Sequence, residues 1–408
     1  MSTYSPVSGH SAPLTPPRGQ DPSTKPAAKS SPIGKVYKYF LPENREQYQN
    51  FGFDKSFLKD PFNNKPNFLK FLGIEPPESV PDVPQRTKGT FITLANTVAK
   101  FIKDTREHHC FCTWLSYRHV IFTLDFPEPE HDTLVFRNTG NKRPPGHVTG
   151  TNCRPDITAA LQSHWKKGLV PWPFIRLAGE KASEGKTYEE QKVQAISYLH
   201  YLLLARPDLY VAQGLLSSDK ELIFLFGIGG EGIRQFDVEW EDKDLNKLLY
   251  AFIYRLYEPR DFVDSSYIKA EFDEETTAKY TISITYQGST KECGGFYSIY
   301  ARNPFATRTH VLSNPNFKVE DNNLTVLKDQ FCRVKRRFEE LTILNEYVHK
   351  PKRVPGVVVA VYGEQIELPL SEERCKHRLG LGESGSPFTS IPTLSKVLET
   401  LFDVLEGI

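Results

Sequence analysis

The stretch from Thr187 to Trp240 sets the tightest limit on the fold. "TYEEQKVQAISYLHYLLLA" carries apolar residues at helical spacing, and "LYVAQGLLSSDKELIFLFGIGGEGIRQFDVEW" follows as apolar runs broken by turn residues. A helix with one apolar face, followed by strands apolar on both sides, needs cover on each layer. The segment therefore predicts a sheet layered with helices. Its neighbours agree. "FITLANTVAKFIKD" and "DKDLNKLLYAFIYRLYE" have helical periodicity, whereas "YRHVIFTLDF", "HDTLVFRN", "RPDITAALQSHW" and "WPFIRLAGEK" read as strands and turns. Together they place an α/β domain at 36–265.

Residues 1–35 are rich in Ser, Pro, Thr and Lys and nearly free of large apolar side chains, so a disordered tail is expected. A second region spans 275–408. "KYTISITYQG", "GFYSIYARNP", "NLTVLKDQF", "VPGVVVAVYG" and "HRLGLGE" read as strands, and "RRFEELTILNEYV" as a helix. "TSIPTLSKVLETLFDVLEGI" reads as a closing amphipathic helix, with Ser390 as N-cap and Pro392 in its first turn. The whole is of the α+β class.

Charge excludes some partners. Lysine plus arginine number 51 against 50 acidic residues, so nothing in the balance draws the chain to nucleic acid or an anionic membrane. No apolar run approaches the roughly 20 residues of a membrane span, and the N-terminus lacks the apolar core of a secretory signal. The six cysteines form no CxxC pair, which suits a reducing intracellular compartment, cytoplasmic or nuclear. His108, Cys110 and Cys112 in "HHCFC" would share one face of a strand. With no second ligand group at zinc-like spacing, no metal is expected there.

Two glycine fingerprints match GxGxxG by letter. "GIGGEG" (Gly227, Gly229, Gly232) sits between strand-like runs and reads as a hairpin turn rather than a dinucleotide loop. "GLGESG" (Gly380, Gly382, Gly385) reads as a connection before the closing helix. A nuclease-like pattern pairs Pro155-Asp156 with Glu180-Lys181, where carboxylates would hold Mg²⁺ and a lysine assist the attacking water. Glu180 and Lys181 are adjacent and so face opposite ways on a strand. Glu184 and Lys186 have the needed spacing but fall in a polar loop.

The last pattern is "LTVLKDQF", which sets Lys328 among large apolar residues just before the helix bearing Glu339 and Glu340. In a kinase N-lobe a strand lysine holds the α- and β-phosphates of ATP and pairs with a helix glutamate. Val326 shares a face with Lys328 and is placed to pack on an adenine. A lysine snorkelling from an edge strand is the plainer alternative.

The order of motifs over roughly 150–408 resembles the fungal-type protein kinase family, whose members join an N-terminal globular region to a divergent kinase domain. The likeness rests on "RPDI", "WPFIRLAGEK", "EEQKVQAISYLHYLLLARPDLYVAQGL", "LTVLKDQF", "RRFEELTIL" and "HRLGLGESGSPF" through "LFDVLEG". It implies a partial protein-kinase-like N-lobe at 275–408, with Lys328 as the phosphate-binding lysine, Glu340 as its partner and Asp329 as the residue after it. The family's Gly-Arg-x-Thr loop corresponds to Ala306-Thr307-Arg308-Thr309, of which Thr309 matches. Phe331 replaces the family's tryptophan. No HRD-type catalytic loop or DFG-type metal motif occurs in the sequence. The expectation is thus a family member truncated before its catalytic loop, binding ATP but not transferring phosphate, with Mg²⁺ held only if a C-lobe is supplied. A protein partner would cover the closing helix. Two other classes stand beside this reading: a non-catalytic protein-interaction or regulatory module, and a nuclease-related domain.

Overall fold

The computed structural model describes residues 58–83, 85–116, 132–140, 142–147, 153–272, 278–305, 308–334, 340–350 and 357–383. The tail at 1–35, "YRHVIFTLDF" and the closing helix at 391–408 lie outside them. The fold is α+β.

Among the described residues, the first half of the chain has four α-helices, α1 (Lys65–Leu72), α2 (Phe91–Ser116), α3 (Tyr188–Ala205) and α4 (Leu245–Tyr257). They cover a sheet of six strands, β1 (Leu134–Asn138), β2 (Ile157–Leu161), β3 (Leu177–Lys181), β4 (Val211–Ser217), β5 (Glu221–Ile228) and β6 (Gly232–Glu239), which lie side by side in chain order. Neighbours are antiparallel except β3 and β4, which run parallel. A parallel pair needs a crossover, and α3 makes it. Thr187 and Glu190 start that helix with a reciprocal capping box.

Strand alternation sorts the core into two layers. Phe224 and Phe226 face α1, α2 and α4 through Phe68, Val98 and Phe252. Ala178, Leu216 and Leu225 face α3 through Ala195, Leu199 and Leu202. "GIGGEG" forms the β5–β6 hairpin, with Gly230 at φ 78°, as the turn reading expects. "HHCFC" belongs to α2 and not to a strand.

The second half builds a wider antiparallel sheet from β7 (Tyr267–Glu271), β8 (Lys279–Tyr286), β9 (Ser289–Ala301) and β10 (Thr309–Ser313). A small hairpin of β11 (Lys318–Val319) and β12 (Asn322–Asn323) leads into β13 (Val326–Arg333). There follow a helical turn α5 (Glu340–Thr342), continued as a π-helical turn over Ile343–Val348, then β14 (Ala360–Leu368) and β15 (Ser371–Leu381). The strand order is β14-β15-β13-β10-β9-β8-β7. The sheet begins at Tyr267, ahead of the 275 boundary read from the sequence. Thr309 is the first residue of β10 and follows the β9–β10 connection, in which Ala306 and Thr307 lie outside the described residues.

The two sheets are joined at the C-terminal end of α3, where the last helical carbonyls lack intrahelical donors. Arg308 is fully buried and donates to the carbonyls of Leu203 and Arg206, each at 2.9 Å, and to that of Leu209. His310 Nε2 lies 3.1 Å from the Leu203 carbonyl, and the Tyr280 hydroxyl donates to that of Ala205 at 2.8 Å. A cation here also suits the negative end of the helix dipole.

Candidate nucleotide site

β13 presents two faces. Val326, Lys328 and Gln330 point one way, and Leu327, Asp329 and Phe331 the other. Register sets Val311 on one side of Lys328 and Leu379, then Gly363, on the other. The turn after β13 docks on the lysine face through Leu341 and Leu344, which pack against Ala360 and Leu379. Gly363 permits that approach, because a Cβ there would stand 2.6 Å from Leu341 Cδ2.

Docking brings the helix start over the strand, and Lys328 Nζ lies 2.5 Å from Glu340 Oε2. Both side chains keep contact with solvent, at 24% and 38% exposure. They line a cleft of about 120 Å³ with Gln330, Gly363, His377 and Leu379. The structure thus unites two of the four site residues expected from sequence. Val326 and Thr309 share the lysine face, but Val326 lies beside Leu381 and Ser313, and Thr309 beside Gln330. Neither lines the cleft.

Asp329 turns inward to a cluster that no local pattern announced. Its carboxylate takes a bidentate pair from Arg378 at 2.8 Å on each oxygen, lies 3.2 Å from Lys376 Nζ, and accepts from the Tyr267 hydroxyl at 3.0 Å. Asp264 completes the group, pairing with Lys376 and, at 3.0 Å, with Arg378. All four charged side chains are buried. Two acids against two bases balance the charge, which is the condition for ions to be held away from water. Burial, then Asp329, pushes the Tyr267 hydroxyl well above its ordinary range.

A second group of ionisable residues lies in the first sheet, beneath the N-terminal end of α3. Asp156 directly precedes β2, and the register pairing Ile157 with Gly179 sets it across from Glu180. The Tyr198 hydroxyl is 2.9 Å from Glu180 Oε2, and Lys186 Nζ is 3.5 Å from Glu180 Oε1. Lys186 also donates to Gln194 Oε1 at 2.7 Å. Burial, reinforced by the Asp156 carboxylate, pushes Glu180 up to about 7. Burial raises Asp156 as well. By sequence Lys186 falls with Glu184 in a polar loop, but the loop after β3 folds back on the strand end and brings Lys186 to Glu180. The signal was the short distance from Lys181 to the Thr187 cap, with Gly185 at φ 88° between them.

A larger cavity of about 430 Å³ lies between the sheets, but its cations hold the structure together. Arg176 donates to the Leu256 carbonyl at 2.6 Å, Arg206 pairs with Asp208 at 2.5 Å, and Arg255 donates to the Leu72 carbonyl at 2.8 Å.

No family model, curated protein or solved structure matches the chain.

Proposed function

We propose that the cleft at Lys328 is the phosphate-holding side of a kinase-like nucleotide site, as the resemblance to fungal-type protein kinases implies. The observation that carries the reading is the 2.5 Å pair between Lys328 and Glu340. In a kinase lobe this pair orients the lysine toward the α- and β-phosphates of ATP. Two features support it. The helical turn bearing Glu340 lies between β13 and β14 in sequence, while β15 inserts between those strands in the sheet. The partly exposed ammonium is open to an anionic ligand.

The assigned activity is ATP binding. The sequence holds no HRD- or DFG-type motif, and no base or Mg²⁺ ligand is assigned on this side. ATP is expected to raise the melting temperature of the wild type and leave that of Lys328→Ala unmoved. Equal stabilisation of both would remove the reading.

A second reading rests on Asp156, Glu180 and Lys186. A carboxylate just before β2 and one on β3, with a lysine beside them, suit a divalent cation and an attacking water, the arrangement of metal-dependent phosphodiester hydrolysis. Mg²⁺- or Mn²⁺-dependent cleavage of plasmid DNA, lost in Asp156→Ala, is the expected result. Cleavage unchanged in that variant would refute it.

A further inference from the structure

Cys332 and Cys375 face each other across β13 and β15, with Sγ atoms 3.7 Å apart. His377 follows Cys375 by two residues, so both side chains leave the same face of β15. The two sulfurs and a ring nitrogen of His377 all lie within 4.8 Å of one another. We propose that these three residues bind a soft divalent metal ion, zinc by their chemistry, with water completing the coordination.

The geometry argues for it in three ways. Two thiolates each about 2.3 Å from a tetrahedral Zn²⁺ stand about 3.8 Å apart, close to the distance seen. A disulfide would need the sulfurs at about 2.05 Å. Both cysteines are buried, which keeps bulk water from competing with two adjacent thiolates for a metal ion. Thiolate and imidazole are the donors that select zinc over Mg²⁺ or Ca²⁺. No fourth protein donor joins the group among the described residues, so a coordination position stays open. Binding releases the two thiol protons and changes no oxidation state. The ion would tie the strand of Lys328 to the strand of Leu379. The proposal does not depend on what the cleft binds.

The test uses the full chain, reduced and titrated with Co²⁺. A thiolate-to-cobalt charge-transfer band with the strong visible bands of tetrahedral cobalt is expected, saturating at a single equivalent and displaced by Zn²⁺. Cys375→Ser and His377→Gln should each lose those bands. His377 is partly exposed and its replacement keeps both thiols, so an unchanged circular dichroism spectrum separates a lost ligand from a lost fold. Absence of the bands in the reduced wild type would overturn the proposal. So would bands that persist in both variants, which would place the metal at other cysteines. A Cys332–Cys375 disulfide whose reduction restores no cobalt uptake would overturn it as well.

Discussion

Lys328 and Asp329 are consecutive in β13 and serve opposite faces of the sheet: the lysine meets Glu340 at an open cleft, and the aspartate meets Arg378 inside a buried ion cluster. Sequence distance is nil, but the energetic settings differ. Asp329→Ala leaves Lys376 and Arg378 buried with Asp264 and the more distant, partly exposed Glu364 at 3.6 Å, and removing one member of such a group costs about 3–5 kcal/mol. The Lys328–Glu340 pair is solvated, so Lys328→Ala should cost about 1 kcal/mol or less. Urea unfolding of both variants checks this, and equal losses would show that the two faces are not so divided.

Glu180 makes stability depend on pH. Its carboxyl titrates near 7 in the fold, against an ordinary value of 4.5. Between those values the folded chain binds the extra proton, so this contribution is complete below about 4.5 and is lost as pH rises through about 7. The loss is at most roughly 3 kcal/mol. Glu180→Gln should flatten the decline and be the more stable form above neutrality. Parallel pH profiles for wild type and variant would disprove this.

Cation binding at the same carboxylates carries the opposite slope. A metal ion competes with the Glu180 proton, so Mn²⁺ affinity should rise as pH climbs toward about 7 and level off above it. Calorimetric titrations at several pH values, with Asp156→Ala as the control expected not to bind, measure it. Affinity flat with pH would detach any bound cation from Glu180.

Arg308 holds the sheets together through three carbonyls around the end of α3. Arg308→Lys keeps the charge but loses the planar fork that reaches several acceptors at once. Buried acceptors left unpaired cost about 1–3 kcal/mol each. A loss of about 3 kcal/mol or more is expected in chemical denaturation, and full rescue by lysine would show that charge alone matters.

Much of this was readable where the determinants are local. The hairpin at Gly229–Gly230 and helix α3 with its Thr187 cap follow from turn chemistry and periodicity. Glu340 follows Lys328 by 12 residues, within one strand–helix connection, so the pair could be anticipated. Asp264 and Lys376 are 112 residues apart, and no local spacing rule reaches that far. Strand β10 was not read from the sequence for a related reason. "THVLS" is short and mixed in polarity, and it becomes a strand because β9 and β13 bond to it on either side.

Calorimetric titration of ATP into the wild type and Lys328→Ala tests the nucleotide assignment most directly. Saturable binding to the wild type is expected, weakened about tenfold or more in the variant, because a charged hydrogen bond to phosphate contributes about 1.5–3 kcal/mol. The folded state of Lys328→Ala, verified by its near-wild-type unfolding midpoint, makes the comparison clean. Equal affinity in the two proteins, or no binding to the wild type, would contradict the assignment of Lys328 as a phosphate-holding residue.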